Sequence, residues 1–258
     1  GVLTYERRVA EDHYVLRRGD NGGPIGVQRV GVHDGWRDGY RQTVRSHTEL
    51  FRHLLVGQSM RFYNQMVAAK DFAASGELGE IYCADAARIR RRGVPSHGVF
   101  TMKSLSGGGV LYDLGVHMLD TLLWIMGNPR VVTATGATFT KIANRNEGLI
   151  ISDAESGAPV GVFNRKADPA GFDVEDMAVG MIRFAGGQTI MLEASWAARI
   201  KREWVYSTLC GTQAGASLER VFAVDGVDDS AMDTLELFTQ EQGAAVDRVV
   251  KVEPDPAM

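Results

Sequence analysis

The stretch that decides the fold reading is Ser106-Gly107-Gly108-Gly109-Val110-Leu111-Tyr112-Asp113-Leu114-Gly115-Val116-His117-Met118-Leu119-Asp120, which runs on to Trp124. At the angular step of an α-helix, Leu111, Leu114, Met118, Leu122 and Ile125 fall on one apolar stripe. Asp113, His117, Asp120 and Trp124 fall on a second stripe, about 130° away by helix geometry. The spacing therefore predicts a helix over 108–126, stopped by Pro129. Its first stripe faces a core. Its second stacks carboxylate, imidazole and carboxylate one above another, with Cβ atoms about 5–6 Å apart.

Two readings of that second stripe are open from spacing alone. Such a row is commonly a solvated face with weak local pairs. It also suits acid–base chemistry, because histidine titrates near neutrality and a carboxylate one turn away can orient it. The three glycines at the helix start would let a ligand approach backbone N–H groups. Gly115, mid-helix, implies a close neighbour on its face. No second histidine or cysteine pair sits at ligand spacing, so no metal site is expected. Neither a Walker loop, nor a Ser nucleophile elbow, nor CxxC occurs.

Working outward, residues 62–75 read as a helix closed by Gly76, and Ile81–Ile89 as a strand. In that strand Ile81, Cys83 and Asp85 should share one face, and Tyr82, Ala84 and Ala86 the other. Residues 91–106 read as a long loop, and Val131–Thr140 as a β-branched strand. Met177–Phe184 and Thr189–Trp196 form a hairpin pattern around Ala185-Gly186-Gly187-Gln188. Val205–Cys210 is a further strand, with weaker ones in 234–252. Strands joined by short turns predict an α+β fold: a mixed, mostly antiparallel open sheet with helices on one face. An open sheet needs a cover on its other face, and a second subunit is the expected one.

The front differs in character. Residues 1–55 hold nine arginines, no lysine and four of the six histidines. Residues 1–40 read as loop-rich, 41–53 as a helix, and Leu54-Leu55-Val56-Gly57 as a short strand. Two units are expected: an atypical Arg/Gly/His-rich segment at 1–55 and a domain at 56–258. The first residue is glycine, and a truncated or altered front is expected.

Composition narrows the function classes. The chain has 258 residues, 45% hydrophobic and 23% charged, which supports a folded core. A net charge of −4 gives no basic field for nucleic acid or anionic lipid. No apolar run approaches the length of a membrane span, and the first residues lack signal-peptide order. Two cysteines, Cys83 and Cys210, fit a reducing, cytoplasmic setting and read as small core hydrophobes. Trp196 and Trp204 read as sheet or interface residues around a solvated Lys201-Arg202-Glu203. Arg88, Arg90, Arg91 and Arg92 read as a strand end facing water.

Residues 56–216 resemble the C-terminal part of the Gfo/Idh/MocA oxidoreductases. The resemblance rests on five ordered patches: Val56-Gly57-Gln58-Ser59-Met60-Arg61-Phe62, Gly76-Glu77-Leu78-Gly79-Glu80-Ile81, the GGGxLxDxGxHxxD run at 107–120, Trp124-Ile125-Met126-Gly127-Asn128-Pro129, and the stretch from Asp173-Val174-Glu175-Asp176 to Trp196. It implies an NAD(P)-dependent dehydrogenase of sugars, cyclitols or related polyols. This chain would be its substrate-binding and catalytic half and would form homo-oligomers through the open sheet. His117 would be the general acid/base, and Asp113 would hold the substrate and orient that base. Arg61 lies where the family brings the chain close to the pocket and is expected to bind substrate. The family's GxGxxG turn, which holds NAD or NADP, is absent from the whole chain. So is its catalytic lysine, since the first lysine is Lys70. The alternative expectation is a non-enzymatic, dimerising sheet domain that binds no dinucleotide.

Overall fold

The computed structural model describes the backbone of 12–18, 25–31 and 150–151, and residues 58–95, 99–145, 171–220 and 233–252 in full. An eight-stranded mixed sheet dominates. Its strands are β3 (Ile81–Ile89), β5 (Val131–Phe139), β7 (Met177–Phe184), β8 (Thr189–Ser195), β9 (Trp204–Gly211), β10 (Gly215–Glu219), β11 (Thr234–Glu241) and β12 (Ala244–Val250). They lie in the order β12-β11-β10-β9-β3-β8-β7-β5. Every pairing in this sheet is antiparallel except that of β3 with β8. The α+β reading holds: helix α1 (Asn64–Ser75) and a helix over Val116–Ile125 cover one face.

The core between those helices and the sheet follows from alternation. On β8, Ile190, Leu192 and Ala194 point inward, and on β9 Val205 and Leu209 do. Against them pack Met66 and Ala69 of α1, and Met118, Leu122 and Ile125. Leu122, Ile190 and Leu209 are fully buried, each contributing about 1.5–3 kcal/mol of apolar transfer. Helix α1 ends where expected, with Gly76 in the left-handed region at φ 84°.

Several local expectations need correction. A bulge between Ile81 and Cys83 breaks the alternation of β3, so Ile81 packs on the core while Tyr82 is 53% exposed. The expected loop at 91–106 contains β4 (Val94–Pro95), paired in parallel with β6 (Ile150–Ile151), and a one-turn helix α2 (Lys103–Ser106). Buried Val94 joins a second small core beside Trp196, which is what orders this segment. Within 1–40, read as loop-rich, β1 (Asp12–Arg18) and β2 (Ile25–Gly31) pair antiparallel. Their apolar residues do not alternate regularly, so a period-of-two test misses them. The expected helix at 41–53 and strand at 54–57 lie outside the described residues.

The sheet face away from the helices carries Met181, Met191, Trp204 and Phe238, all substantially exposed. Cys83 and Cys210 lie there too, directly opposite each other on β3 and β9 and half-buried. They are therefore not core residues; the parity of the strands puts them on the uncovered side. Edge strand β5 is exposed along its whole length. Among the described residues, no helix is long and apolar enough to cross a membrane.

Candidate active site

The helix carrying the Asp/His row begins on an acceptor supplied by the chain itself. Glu175 Oε1 accepts the N–H groups of Gly109 (2.8 Å) and Leu111 (3.2 Å), and the Glu175 carbonyl accepts that of Val110 (3.1 Å). This corrects the expectation that the glycines leave those donors open to a ligand. Gly109 is needed for the close approach of that strap, since a Cβ would lie 2.1 Å from the Glu175 carbonyl oxygen.

The helix is not uniformly α. Leu111–Gly115 forms a π turn, with the Val116 N–H bonded to the Leu111 carbonyl, and α3 (Val116–Ile125) follows. Such wide turns recur at functional sites. Gly115 has the expected close neighbours: a Cβ there would meet Leu111 Cδ1 at 2.8 Å and Ala194 Cβ of β8 at 3.6 Å. The apolar stripe is buried as read, from Leu114 through Met118, Leu122 and Ile125.

The polar stripe is half-buried, and its Asp113, His117 and Asp120 each have a partner from outside the helix. Asp113 Oδ2 accepts the indole N–H of Trp196 at 2.7 Å. Trp196 is itself fully buried, edge-on to Phe172 at 6.1 Å. His117 Nδ1 lies 3.1 Å from Gln58 Oε1. Asp120 receives a two-pronged ion pair from Arg61, whose Nε is 2.6 Å and Nη2 2.5 Å from its carboxylate oxygens. The Arg61 guanidinium also stands 5.9 Å from the Trp124 ring centroid. Its carboxylate partner raises its pKa above the ordinary arginine value. This is not the free, solvated face of the bland alternative.

The row thus brings together the three residues singled out in sequence, Arg61, Asp113 and His117, with one difference. No hydrogen bond joins Asp113 to His117 among the described residues. Gln58, not Asp113, contacts the imidazole. The electrostatic balance at His117 is also set from elsewhere. Burial first, and then the positive charge of Arg88, push its pKa below the ordinary histidine value, against the opposing pull of Asp113 and Asp120. Arg88, expected to face water, instead shares the inward parity of Ala84 and Ala86 on β3 and sits opposite Ala194. Arg91 is exposed, as expected, and its backbone N–H donates to Glu203 Oε1 at 3.1 Å.

Sequence reasoning missed Gln58, Arg88 and the indole of Trp196 as site residues. All three act over long sequence separations, where periodicity is silent. A shallow recess lined by Met60, Met66, Met118, Arg220 and Asp233 includes neither Asp113 nor His117.

The fold and the row together define an open-sheet α+β domain with a carboxylate–imidazole–carboxylate row on its covering helix. The GFO/IDH/MocA C-terminal domain matches residues 66–217, and the chain belongs to that family. It is 37% identical over 159 residues to D-glucoside 3-dehydrogenase of Escherichia coli (strain K12), a match covering 61% of this chain and 42% of that protein. The chain thus spans less than half the length of that curated relative. In fold it resembles the aldose-aldose oxidoreductase from Caulobacter crescentus complexed with glycerol, with a TM-score of 0.59 at 15% identity, covering 85% of this chain and 53% of that one. It also resembles levoglucosan dehydrogenase in complex with NADH and levoglucosan, with a TM-score of 0.53 at 20% identity, covering 76% and 46%.

Proposed function

We propose that this chain is the substrate-binding and proton-transfer half of a dehydrogenase that oxidises a hydroxyl of a sugar or related polyol. The observation that carries the reading is the Asp113–His117–Asp120 row, half-buried on one helix and gripped by Trp196, Gln58 and Arg61. His117 is neutral near pH 7 because its pKa is depressed. It is therefore in the form that can accept a hydroxyl proton. Asp113, fixed by the Trp196 N–H, keeps its second carboxylate oxygen for a sugar hydroxyl. Arg61 stands one turn further along the row, where its partly exposed side chain lines the approach.

Nicotinamide from NAD or NADP would supply the hydride acceptor. The described residues do not fit a pyrophosphate: GxGxxG is absent from the sequence, and the glycine-rich helix start is occupied by Glu175.

The test is oxidation of a glucoside with NAD or NADP, followed by nicotinamide absorbance. Activity that vanishes in His117→Ala supports the role, and unchanged turnover in that variant removes it.

A second reading is a non-enzymatic module that self-associates. It is favoured by the exposed Met181, Met191 and Phe238 on the uncovered sheet face. Nicotinamide fluorescence with NADH and NADPH bears on the two, since binding of either supports the dehydrogenase half. In both readings a second copy of the chain covers the open face. Sedimentation of Met191→Glu tests that, with a shift toward monomer expected.

A further inference from the structure

We infer that Gln58 is a positioning residue that selects the tautomer of His117, placing the ring proton on Nδ1 and the basic lone pair on Nε2. The inference rests on the proton-transfer role proposed for His117.

The argument is one of donor and acceptor chemistry. An amide oxygen can only accept. Gln58 Oε1 stands 3.1 Å from His117 Nδ1, so a hydrogen bond there requires Nδ1 to carry the proton. A neutral imidazole has one N–H, and Nε2 is then unprotonated. Among the described residues no hydrogen bond engages Nε2, so this nitrogen is the one available to a substrate hydroxyl. A histidine free in water favours the opposite tautomer, with the proton on Nε2. Gln58 therefore reverses a default.

The identity of the partner matters as much as its position. The charged groups around His117 are Asp113 and Asp120 on its own helix and Arg88 on β3, with Arg61 already engaged by Asp120. A carboxylate at Gln58 would add a third negative charge, in direct contact, and favour imidazolium. A neutral amide orients the ring without that pull, so the base stays unprotonated near neutrality. Gln58 is held to this task by its place at the start of the short turn Ser59–Phe62, where its carbonyl accepts the Arg61 N–H at 3.3 Å. The segment that delivers Arg61 to Asp120 thus also delivers Gln58 to His117.

The experiment is long-range ¹H–¹⁵N correlation on the histidine-labelled chain, with the His117 signals identified by their loss in His117→Asn. The expected wild-type pattern is protonated Nδ1 and unprotonated Nε2. Gln58→Leu should return His117 toward the Nε2–H form. Gln58→Glu should keep Nδ1–H and raise the midpoint of the His117 titration by about one pH unit or more. A merely structural glutamine would leave tautomer and midpoint unmoved in folded variants. A wild-type Nε2–H pattern, or a Gln58→Leu spectrum like wild type, overturns the inference. The readout needs no turnover, so the two failures are told apart: loss of sugar oxidation with the expected spectrum strikes the dehydrogenase reading, and a wrong spectrum strikes the tautomer assignment.

Discussion

Trp196 and Asp113, 83 residues apart in sequence, meet at 2.7 Å between the end of β8 and the wide turn of the helix that carries the Asp113–His117–Asp120 row. The indole is completely buried and cannot turn to water. Its backbone is fixed as well, because the Trp196 N–H donates to the Asp176 carbonyl. The carboxylate therefore meets a donor whose position the core dictates. A double-mutant cycle of Trp196→Phe and Asp113→Ala should show coupling of about 1–3 kcal/mol in urea unfolding. Strictly additive effects would mean the contact contributes nothing.

The depressed pKa of His117 has a defined pH consequence. Burial and then Arg88 lower it below the ordinary histidine value of about 6.5. Above that value the folded and unfolded chains both hold a neutral His117, which contributes no slope. Between the unfolded and the folded pKa the unfolded state binds the extra proton, so stability falls as pH drops. His117→Gln should remove that part of the slope in denaturation followed by circular dichroism. In turnover, the acid limb should lie below pH 6.5, and Arg88→Gln should move it upward. A limb that ignores Arg88→Gln contradicts the electrostatic assignment.

Asp176 is buried, and one of its oxygens accepts the backbone N–H groups of Lys141, Ile142 and Ala143 at 2.7–2.9 Å. Asp176→Ala orphans three donors in the turn that follows β5. A loss of about 3 kcal/mol or more is expected in chemical denaturation. A loss below about 1 kcal/mol would show that water replaces the carboxylate there.

Gly109→Ala would drive a Cβ onto the Glu175 carbonyl, which is backbone and cannot rotate away. The expected outcome is loss of the Glu175 contacts and a chain that is poorly folded on proteolysis. Gly127→Ala is the control for steric room: its Cβ meets nothing within 4 Å, so only the cost of its left-handed φ of 81° remains. Equal damage from the two would rule out the steric argument.

The row of Asp113, His117 and Asp120 was legible in sequence because helical periodicity survives in the side chains. The π turn was not legible: widening one turn alters the hydrogen-bond ladder but barely disturbs which residues share a face. The partners were invisible for a different reason. Gln58 and Arg61 each lie 59 residues from the side chains they hold, and local spacing carries no information at that range. Strands β3, β5, β7, β8 and β9 were found nearly to the residue, because alternation, β-branched runs and the Gly186-Gly187 turn mark them, whereas the short β4, β6 and β10 were too brief to show a period. The bulge beside Cys83 was missed because it adds a residue without any Gly or Pro to announce it.

Strand β3 sits at the middle of the sheet, yet both of its neighbours, β8 and β9, leave the ribosome more than a hundred residues after it. At roughly 5–20 residues per second, translation leaves that strand with two bare edges for about 5–20 seconds. For that interval a newborn segment rich in Ala and Ile has neither of its sheet neighbours to pair with. Yield on overexpression should accordingly respond to chaperone supply more than to any change made at the helix.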